Sequence, residues 1–541
     1  MDKKTRLRIF IVFLAGLLIG TLCASGVLTH QYRQLLKQRT VTVRHNINGR
    51  TVWDKLPIVL DIVERKYVEE IDPKELVDVA LDAALASLDP HSIYLPPVDL
   101  EETESQLASN FEGIGIQFNV PNDTAIVLEV ISGGPSEKAG LLPGDRLLKV
   151  DGRDIAGQQF PQDSMVALMR GPSGTKVQLT LDRQGSVFPV EITRGKIPLN
   201  SVDASFMVND TTGYIRLAKF SMSTYRDFIA AALPLKDAGM RRLLLDLRGN
   251  SGGFMDQAIR IAQELLPKDE MIVYTEGLHS PRVETHSKGT AMLSDVELVV
   301  IIDEFSASAS EILAGAVQDN DRGVIVGRRS FGKGLVQEPF YFTDGSGIRL
   351  TVARYYTPSG RCIQKPYTDD YDFETYDRYN RGGEVYAKEN IHLDSTQVFH
   401  TRGGRTVYGS GGIVPDIFVP IDTTRVSAFY VACNRKSTQM RFASRVFDQH
   451  HAELAAIDSY PAMDRFLSRL NLRVAFPAFA AERDGITLQK GEWEETASYL
   501  VPQLNALIAR YSKLGENAFY RYYLETDPCL TAAMEAPPIA L

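Results

Sequence analysis

Between residues 197 and 420 the apolar positions of the chain switch between the period of strands and the period of helices. The runs at 243–247 and 298–302 are short, rich in leucine, valine and isoleucine, and end at polar turns, which predicts buried strands. At 255–266 the apolar residues instead recur at the spacing of one helix face. Strands and helices in alternation predict an α/β core.

The spacing of the apolar residues changes on both sides of this core. Residues 51–110 and 426–541 carry helical patterns, whereas alternating apolar residues between 111 and 195 predict strands. A single helix, beginning at Pro161, is predicted among these strands. Candidate helices in the last region lie at 463–470 and 499–514.

A polar stretch at 364–411 interrupts the α/β pattern. It is rich in tyrosine, aspartate and arginine and follows neither period, which predicts a long surface loop. Loops of this length are either functional or disordered, and the composition does not distinguish the two.

A serine lies where the predicted strand at 298–302 turns into a helix. Ser308 with Glu311 three residues later is a capping-box pattern, and for an isolated pattern a hydroxyl that caps the helix is a sufficient explanation. After a second strand at 324–326, Lys333 follows between two glycines, where an ordinary surface ammonium is the alternative. The pattern therefore offers a serine at a strand-to-helix turn and a lysine on a neighbouring loop.

A glycine-rich turn at 248–253 joins the strand at 243–247 to the next predicted helix. The N–H groups of such a turn can point at an anion, so a phosphate site and an oxyanion hole are both open. The sequence has no G-x-x-x-x-G-K-[ST] motif, and the neighbouring serine and lysine segments favour an oxyanion hole.

The serine and lysine segments carry a family signature. SASASE at 306–311, FGKG at 331–334 and the following Gln337 resemble the carboxyl-terminal processing peptidases, the tail-specific serine proteases of peptidase family S41. Further motifs resemble that family in its order, namely LDPHS at 88–92, FEGIGI at 111–116, AGL at 139–141, GD at 144–145, LDLRGN at 245–250 and YYTPSG at 355–360. The resemblance extends from about residue 52 to residue 420.

The resemblance implies a multidomain α/β protein in which a PDZ domain precedes an α/β serine-protease core, with helical regions at both ends. The predicted bounds are 1–30 for a signal anchor or signal peptide, 51–110 for the N-terminal helical region, 111–195 for the PDZ domain, 196–425 for the peptidase core with its insert at about 364–411, and 426–541 for the C-terminal helical region. A PDZ domain binds an extended chain end as an added strand and captures the terminal carboxylate with backbone N–H groups. The helical regions are expected to pack on the core or to assemble a homo-oligomer.

Transferred residue by residue, the resemblance implies a serine endopeptidase with a Ser-Lys pair that cuts proteins with free C-termini. Ser308 would attack, Lys333 would be the general base and Gln337 would orient its amine. A lysine pKa near 10.4 leaves only about one lysine in two thousand neutral at pH 7, so Lys333 must be desolvated. The oxyanion hole would use Ala309 with Gly252 or Gly253, and the substrate tail would bind at Gly113, Ile114, Gly115 and Ile116.

Three alternatives remain open from the sequence. Ser306 or Ser310 could be the nucleophile, or a histidine the base, although no G-x-S-x-G motif surrounds Ser308. The chain could instead be a non-catalytic, membrane-attached PDZ scaffold that binds protein C-termini without cutting them, or a pure assembly protein. Neither of these last two readings explains why a serine, a lysine and a glutamine occur together in the signature.

The N-terminus is basic and then apolar. Four lysines and arginines, ending at Arg8, precede an apolar run at 9–28 that is long enough to span a bilayer. The basic end should stay in the cytoplasm, and an uncleaved signal anchor or a signal peptide cleaved near Ala24 or Gly26 are both compatible with the run. In either case we expect the body at the cell envelope, in the periplasm.

Composition narrows the partners and cofactors. A net charge of −9 without a basic stripe argues against nucleic acid. The sequence has no C-x-x-C and no H-E-x-x-H, so we predict no metal and no cofactor, and His450 with His451 is interpreted as a solvated helix face. Beyond Cys23 the number of cysteines is odd, so any disulfide leaves one thiol over among Cys362, Cys433 and Cys529.

Overall fold

The computed structural model describes residues 52–100, 110–121, 123–131, 133–198, 200–289, 291–367, 371, 377–380, 383–409, 411–423 and 426–539. The apolar run at 9–28, and with it the predicted signal anchor, lies outside these ranges. None of the helices within them is long and apolar enough to cross a membrane. The described residues up to Ala80 and those from Leu81 onward belong to two compact units.

Two helices open the described chain, as the periodicity predicts. They are α1 (Lys55–Lys66) and α2 (Pro73–Ala86). Proline suits the first position of α2 because the N–H that it lacks would have no partner there. α1 contains no buried residue, so its apolar stripe does not contribute to a core.

The region from Asn110 to Pro198 is built on an antiparallel sheet with helices against it. Its elements are β2 (Asn110–Gly113), β3 (Ile116–Asn119), β4 (Ala125–Val130), α3 (Pro135–Lys138), β5 (Arg146–Val150), β6 (Arg153–Asp154), α4 (Gln162–Met169), β7 (Lys176–Arg183), β8 (Ser186–Thr193) and β9 (Gly195–Pro198), after β1 (Ile93–Leu95). The sheet order is β3-β4-β5-β7-β8 with β6 beside β5, and β2 pairs separately with β9. Leu147, Leu179 and Met165 of α4 share its core. The prediction of a single helix was wrong, because the four-residue α3 is too short to show a period.

The region from Val202 to Phe418 is organised around a six-stranded sheet in the order β10-β11-β12-β15-β16-β21. All neighbouring pairs in it are parallel except β10 with β11. The elements are β10 (Val202–Met207), β11 (Thr212–Leu217), α5 (Thr224–Asp237), β12 (Arg242–Asp246), α6 (Met255–Leu265), β13 (Met271–Glu276), β14 (Val283–His286), β15 (Glu297–Ile302), α7 (Ala309–Asp319), β16 (Val324–Gly327), β17 (Leu335–Tyr341), β18 (Gly347–Tyr356), β19 (Val398–His400), β20 (Thr406–Tyr408) and β21 (Ile417–Phe418). Parallel strands covered on both faces read as continuous apolar runs, which is why the sequence locates them well.

Both faces of this sheet are covered. Leu243 and Leu245 face a core shared with α5, α6 and α7, whereas Leu244 faces the opposite side. On that side the end of the chain, through Leu524 and Cys529, completes the core. A second sheet, in the order β1-β18-β13-β14 with β17 beside β18, carries the segment that follows the lysine loop.

The C-terminal region is helical, as predicted. Its helices are α8 (Ala428–Arg435), α9 (Thr438–Ala456), α10 (Tyr460–Arg469), α11 (Leu472–Asp484), α12 (Glu492–Ala509), α13 (Gly515–Tyr523) and α14 (Pro528–Glu535), and short 3₁₀ turns lie at Lys388–Asn390 and Leu524–Thr526. The predicted helix at 499–514 begins earlier and ends earlier, since Gly491 in the left-handed region and three glutamates in the first turn start α12.

α9 packs against the antiparallel sheet of the 110–198 region. Arg146 forms an ion pair with Asp448 at 2.7 Å, and Gln184 contacts His451 Nδ1 at 2.7 Å. Gly144 (φ 92°) allows this approach, because a Cβ there would lie 2.3 Å from the Phe447 ring. His450 and His451 are both partly exposed, and the contact of His451 with Gln184 lies at the surface.

The prediction that 364–411 forms a surface loop holds for only part of the segment, because most described residues from 388 to 400 are exposed whereas others are buried. Two of its charged side chains are buried in ion pairs: Glu384 contacts Arg329 at 2.6 Å and Arg378 at 3.1 Å. β19 and β20 form a hairpin within it, and Val385 is 1% exposed. Buried ion pairs leave no apolar period, so the sequence could not distinguish this segment from a solvated loop. The thiols of Cys362, Cys433 and Cys529 are all free.

Candidate active site

Ser308 lies in the turn that leads from β15 into α7, beyond the carboxyl end of a parallel strand. It is the N-cap residue of α7, and it forms the predicted capping box with Glu311, whose Oε2 accepts from Ser308 N at 2.8 Å. Its backbone has φ 54° and ψ −112°, which for a residue other than glycine costs about 1 to 3 kcal/mol. The surrounding packing holds Ser308 in this strained turn.

The two other serines of the segment have structural partners. Ser306 Oγ donates to Leu247 O at 2.9 Å, and Ser310 Oγ donates to Asn250 O at 2.9 Å. Both side chains are fully buried. They attach the serine turn to the 247–250 loop, which leaves Ser308 as the serine of the three without such a tether.

Lys333 reaches the neighbouring Gln337. Its Nζ donates to Gln337 Oε1 at 2.9 Å, and Gln337 Nε2 donates to the carbonyl of His91 at 2.6 Å. The amide thus accepts from the amine without adding a charge, and the LDPHS segment fixes the amide. His91 belongs to the LDPHS motif. Because it contacts Gln337 through its backbone carbonyl, its side-chain type could not predict this contact.

The electrostatic surroundings favour a neutral lysine. Burial lowers the pKa of Lys333 below its ordinary value, and the cationic Arg349 lowers it further, against the opposing effects of Asp89 and Glu311. Desolvation acts in this direction because it disfavours the charged ammonium. The surroundings therefore shift the pKa of Lys333 in the direction that a lysine base requires.

Both glycines beside Lys333 are required by close packing. Gly332 has φ 90°, and a Cβ there would lie 3.1 Å from Gly412 N. A Cβ on Gly334 would lie 2.9 Å from Gln364 N. The two ends of the 364–411 insert therefore enclose the lysine loop.

Glu311 joins the serine turn to the lysine loop. Besides Ser308 N, its carboxylate accepts from Ser330 Oγ at 2.5 Å, Gly332 N at 2.7 Å and Lys333 N at 2.9 Å. Burial raises the pKa of Glu311 against these hydrogen bonds. All four neighbours are donors, so the geometry fits the ionised carboxylate. The sequence identified Glu311 only as a capping residue.

Tyr355 makes a second bridge that the sequence analysis missed. Its hydroxyl lies 2.8 Å from Lys333 O and 3.1 Å from Ser308 O. The side chain is 1% exposed. Tyr355 lay in the YYTPSG motif, and nothing in the motif pointed to this contact.

The glycine-rich turn after β12 faces the start of α7. A Cβ on Gly252 would lie 2.8 Å from Ser308 Cβ and 3.0 Å from Ala309 N. Gly252 N donates to Asn250 Oδ1 at 2.9 Å. The N–H groups of Gly253 and Ala309 have no acceptor in the described part of the chain. The geometry therefore favours Gly253 over Gly252 as the second donor beside Ala309.

The predicted tail-binding loop joins β2 to β3. Its carbonyls are used internally: Ile114 O accepts from Ser136 N at 2.9 Å, and Gly115 O accepts from Ile131 N at 3.1 Å. The N–H groups of Ile114 and Gly115 donate to nothing within the described ranges. Gly113 ends β2 and Ile116 begins β3, so all four predicted residues lie together. This loop is distinct from the Ser308 turn.

Comparisons with known proteins agree with the order of these parts. The model of the PDZ domain matches residues 113–193, and that of Peptidase family S41 matches residues 211–373. The predicted fold class, a PDZ domain before a serine-protease core, is confirmed. Among the residues that the structure describes, no cluster of side chains could hold a metal ion.

This chain aligns with most of the length of its curated relatives. A carboxy-terminal-processing protease of Bartonella bacilliformis is 37% identical over 327 residues, 59% of this chain and 74% of the relative. A carboxyl-terminal-processing protease of Synechocystis is 37% identical over 56% of this chain and 72% of its own. A solved photosystem II D1 C-terminal processing protease is 27% identical over 69% of this chain and 88% of its own, with a TM-score of 0.37. With relatives this similar, the chain belongs to the carboxy-terminal processing proteases of peptidase family S41 and is a serine-type peptidase.

Proposed function

We propose that this protein is an endopeptidase in which Ser308 is the nucleophile and Lys333 the general base. The observation that carries the proposal is the hydrogen bond from Lys333 Nζ to the neutral Gln337 amide, in surroundings that lower the pKa of the amine. Ser306 and Ser310 are less suited to attack, because their hydroxyl protons are already donated to backbone carbonyls.

The chemistry follows from these positions. As Ser308 Oγ bonds to the scissile carbonyl carbon, its proton passes to neutral Lys333, and the N–H groups of Ala309 and Gly253 donate hydrogen bonds to the developing oxyanion. When the intermediate collapses, the C–N bond breaks and Lys333 returns the proton to the leaving amine. A water then gives its proton to Lys333, attacks the acyl ester and releases the new carboxyl end, and Ser308 regains its proton.

We also propose that the chain selects substrates by their C-terminal tails. The N–H groups of Ile114 and Gly115 are available to a carboxylate, and the β3 edge beside them can accept an added strand. Gly115 (φ 80°) is needed for the turn itself, since a Cβ there would lie 2.8 Å from Ile197.

The test compares substrates that differ only at the tail. The purified protein should cut a substrate with a free, apolar C-terminal residue faster than the same substrate with an amidated or charged end, by about tenfold or more in kcat/KM. Ser308→Ala, mixed with the same substrates, is the control for contaminating protease. Equal rates for all tails would reject tail selection and leave the peptidase assignment intact.

The location of the body is a separate proposal, based on the basic residues before the apolar run at 9–28. In cells with a permeabilised outer membrane, added protease should digest the body while the first eight residues stay protected. A cytosolic marker controls for an intact inner membrane. A body that resists digestion until the cells are lysed would contradict a periplasmic location. Assembly into a homo-oligomer stays a prediction.

A non-catalytic scaffold is the second candidate. It would use the same tail-binding loop, and it would predict binding without cleavage. The strained backbone of Ser308 and the paired Lys333 and Gln337 have no role in that reading. Retained tail binding by a Ser308→Ala protein that no longer cuts would separate the two activities.

A further inference from the structure

Arg349 lies on the face of β18 that is turned to the reacting groups. Side chains two residues apart on a strand share a face, so Arg349 and Thr351 point the same way as their neighbour Gln337 on β17, whereas the bulge beyond Thr351 turns Tyr355 to the opposite face. Tyr355 bonds to the carbonyl of Ser308, and Thr351 Oγ1 lies 3.4 Å from Ser92 Oγ in the LDPHS segment. The register places Gln337 opposite Thr351, two pairs along the strands from Arg349 and therefore on the same face.

The guanidinium of Arg349 has no partner in the described part of the chain. No hydrogen bond or ion pair involves its side chain there, although the residue is half-buried. Its direct cross-strand neighbours, Ile93 and Pro339, carry no charge, and the phenol of Tyr341 on β17 is the titratable group that acts on it electrostatically. By contrast, the buried Arg361 is paired with Asp319 at 2.7 Å.

A guanidinium without a partner among the described residues is an unfavourable neighbour for a lysine that has to be neutral. Burial lowers the pKa of Arg349, and Arg349 in turn lowers that of Lys333, so the two cations destabilise each other. Asp89 and Glu311 are the carboxylates that act on Lys333, and both are engaged by other donors. The planar guanidinium can accommodate a carboxylate through two parallel N–H bonds.

We propose that Arg349 binds a carboxylate of the substrate next to the scissile bond. The inference rests on the proposed Ser308 and Lys333 site and adds a subsite to it. The carboxylate can come from an aspartate or glutamate side chain or from the terminal α-carboxylate of a short chain end, and either would satisfy the guanidinium. Arg349 is thus a specificity residue, separate from the tail-binding loop between β2 and β3.

The proposal has a kinetic signature in which KM and kcat change differently. A bound carboxylate offsets the charge of Arg349, so it removes part of the effect that keeps Lys333 neutral. A substrate with the carboxylate should therefore have a KM about tenfold lower than its amide analogue. Its kcat should reach the plateau at a higher pH. A residue that only supports the fold would not produce this pair of effects.

The experiment scans one aspartate, paired with asparagine, through the four positions on each side of the cut in a peptide of fixed sequence. A second pair has a free or an amidated end close to the cut, which distinguishes the two sources of carboxylate. Wild type is compared with Arg349→Met and Arg349→Lys, and Arg354→Met is the matched control because Arg354 is an exposed arginine farther along the same strand, beyond the bulge and opposite Leu335 and Glu276. All rates are measured on the pH plateau.

Wild type and Arg354→Met should prefer the carboxylate at one position by about tenfold in KM. Arg349→Met should lose this preference, and Arg349→Lys should keep part of it. A wild-type protein that shows no preference at any position overturns the inference even if the variants do not fold, as does an Arg349→Met protein with the wild-type ratio. Failure of the Ser308 and Lys333 assignment would show itself differently, as cleavage of all peptides by Lys333→Arg.

Discussion

Replacing Ser308 by alanine, or Lys333 by methionine or arginine, should reduce peptide cleavage by about 10³-fold or more. Alanine removes the attacking oxygen. Methionine has no base, and the guanidinium of arginine stays protonated, so neither can take the proton of Ser308. The measurement is kcat/KM on one peptide, with circular dichroism and tail binding to show that each variant is folded.

Gln337→Ala is the matched comparison for these variants. It leaves nucleophile and base in place and removes the acceptor that orients Lys333 Nζ, so it should lower kcat by a smaller factor, about 10-fold to 100-fold. A folded Lys333→Arg protein that cuts at nearly the wild-type rate would show that another residue is the base.

The same assignment fixes the direction of the pH dependence. Protonated Lys333 cannot accept a proton, so kcat/KM should rise with pH and level off above the lysine pKa of the free enzyme. Because burial and Arg349 lower that pKa, the plateau should begin below the ordinary lysine value of about 10.4. A bell-shaped profile centred on the ordinary histidine pKa, near 6.5, would instead point to a histidine base.

Local signals account for what the sequence could predict. Strand β15 is a continuous apolar run that ends at a polar turn. Ser308 with Glu311 marks the start of α7, which begins at Ala309. Glycines flank Lys333 where packing leaves no room for a Cβ. Each of these features is encoded in a few adjacent residues, and the family signature links them.

Contacts between distant segments account for what the sequence could not predict. Gln337 is positioned by a carbonyl 246 residues away, and Tyr355 by two backbone carbonyls. Part of the insert was misread because Arg378 and Glu384 are buried as a pair, so their charge suggests solvent. Neither hydrophobic period nor motif spacing reports such pairings, since their partners are defined only by the fold.

Glu311 belongs to the local capping box and also contacts the distant lysine loop. We expect its replacement to lower both stability and activity strongly. Its carboxylate accepts from Ser308 N, Ser330 Oγ, Gly332 N and Lys333 N. Glu311→Ala leaves these donors without their acceptor, and each buried unpaired donor costs about 1 to 3 kcal/mol. We expect the free energy of unfolding to fall by about 3 kcal/mol or more, measured by urea denaturation.

Activity should fall more than stability alone explains. Two of the four donors belong to the lysine loop and one to Ser308, so without Glu311 the lysine loop is no longer tied to the serine turn, and kcat should drop by about 100-fold even where the protein is fully folded. Glu311→Gln keeps the shape but replaces one acceptor oxygen by a donor, so its effects should lie between alanine and wild type. Exposed Glu338, next to Gln337, provides the control: Glu338→Gln should change neither kcat nor the free energy of unfolding.

A folded Glu311→Ala protein with wild-type kcat would contradict this role of the carboxylate. It would mean that Tyr355 and the enclosing insert are sufficient to position the serine turn and the lysine loop.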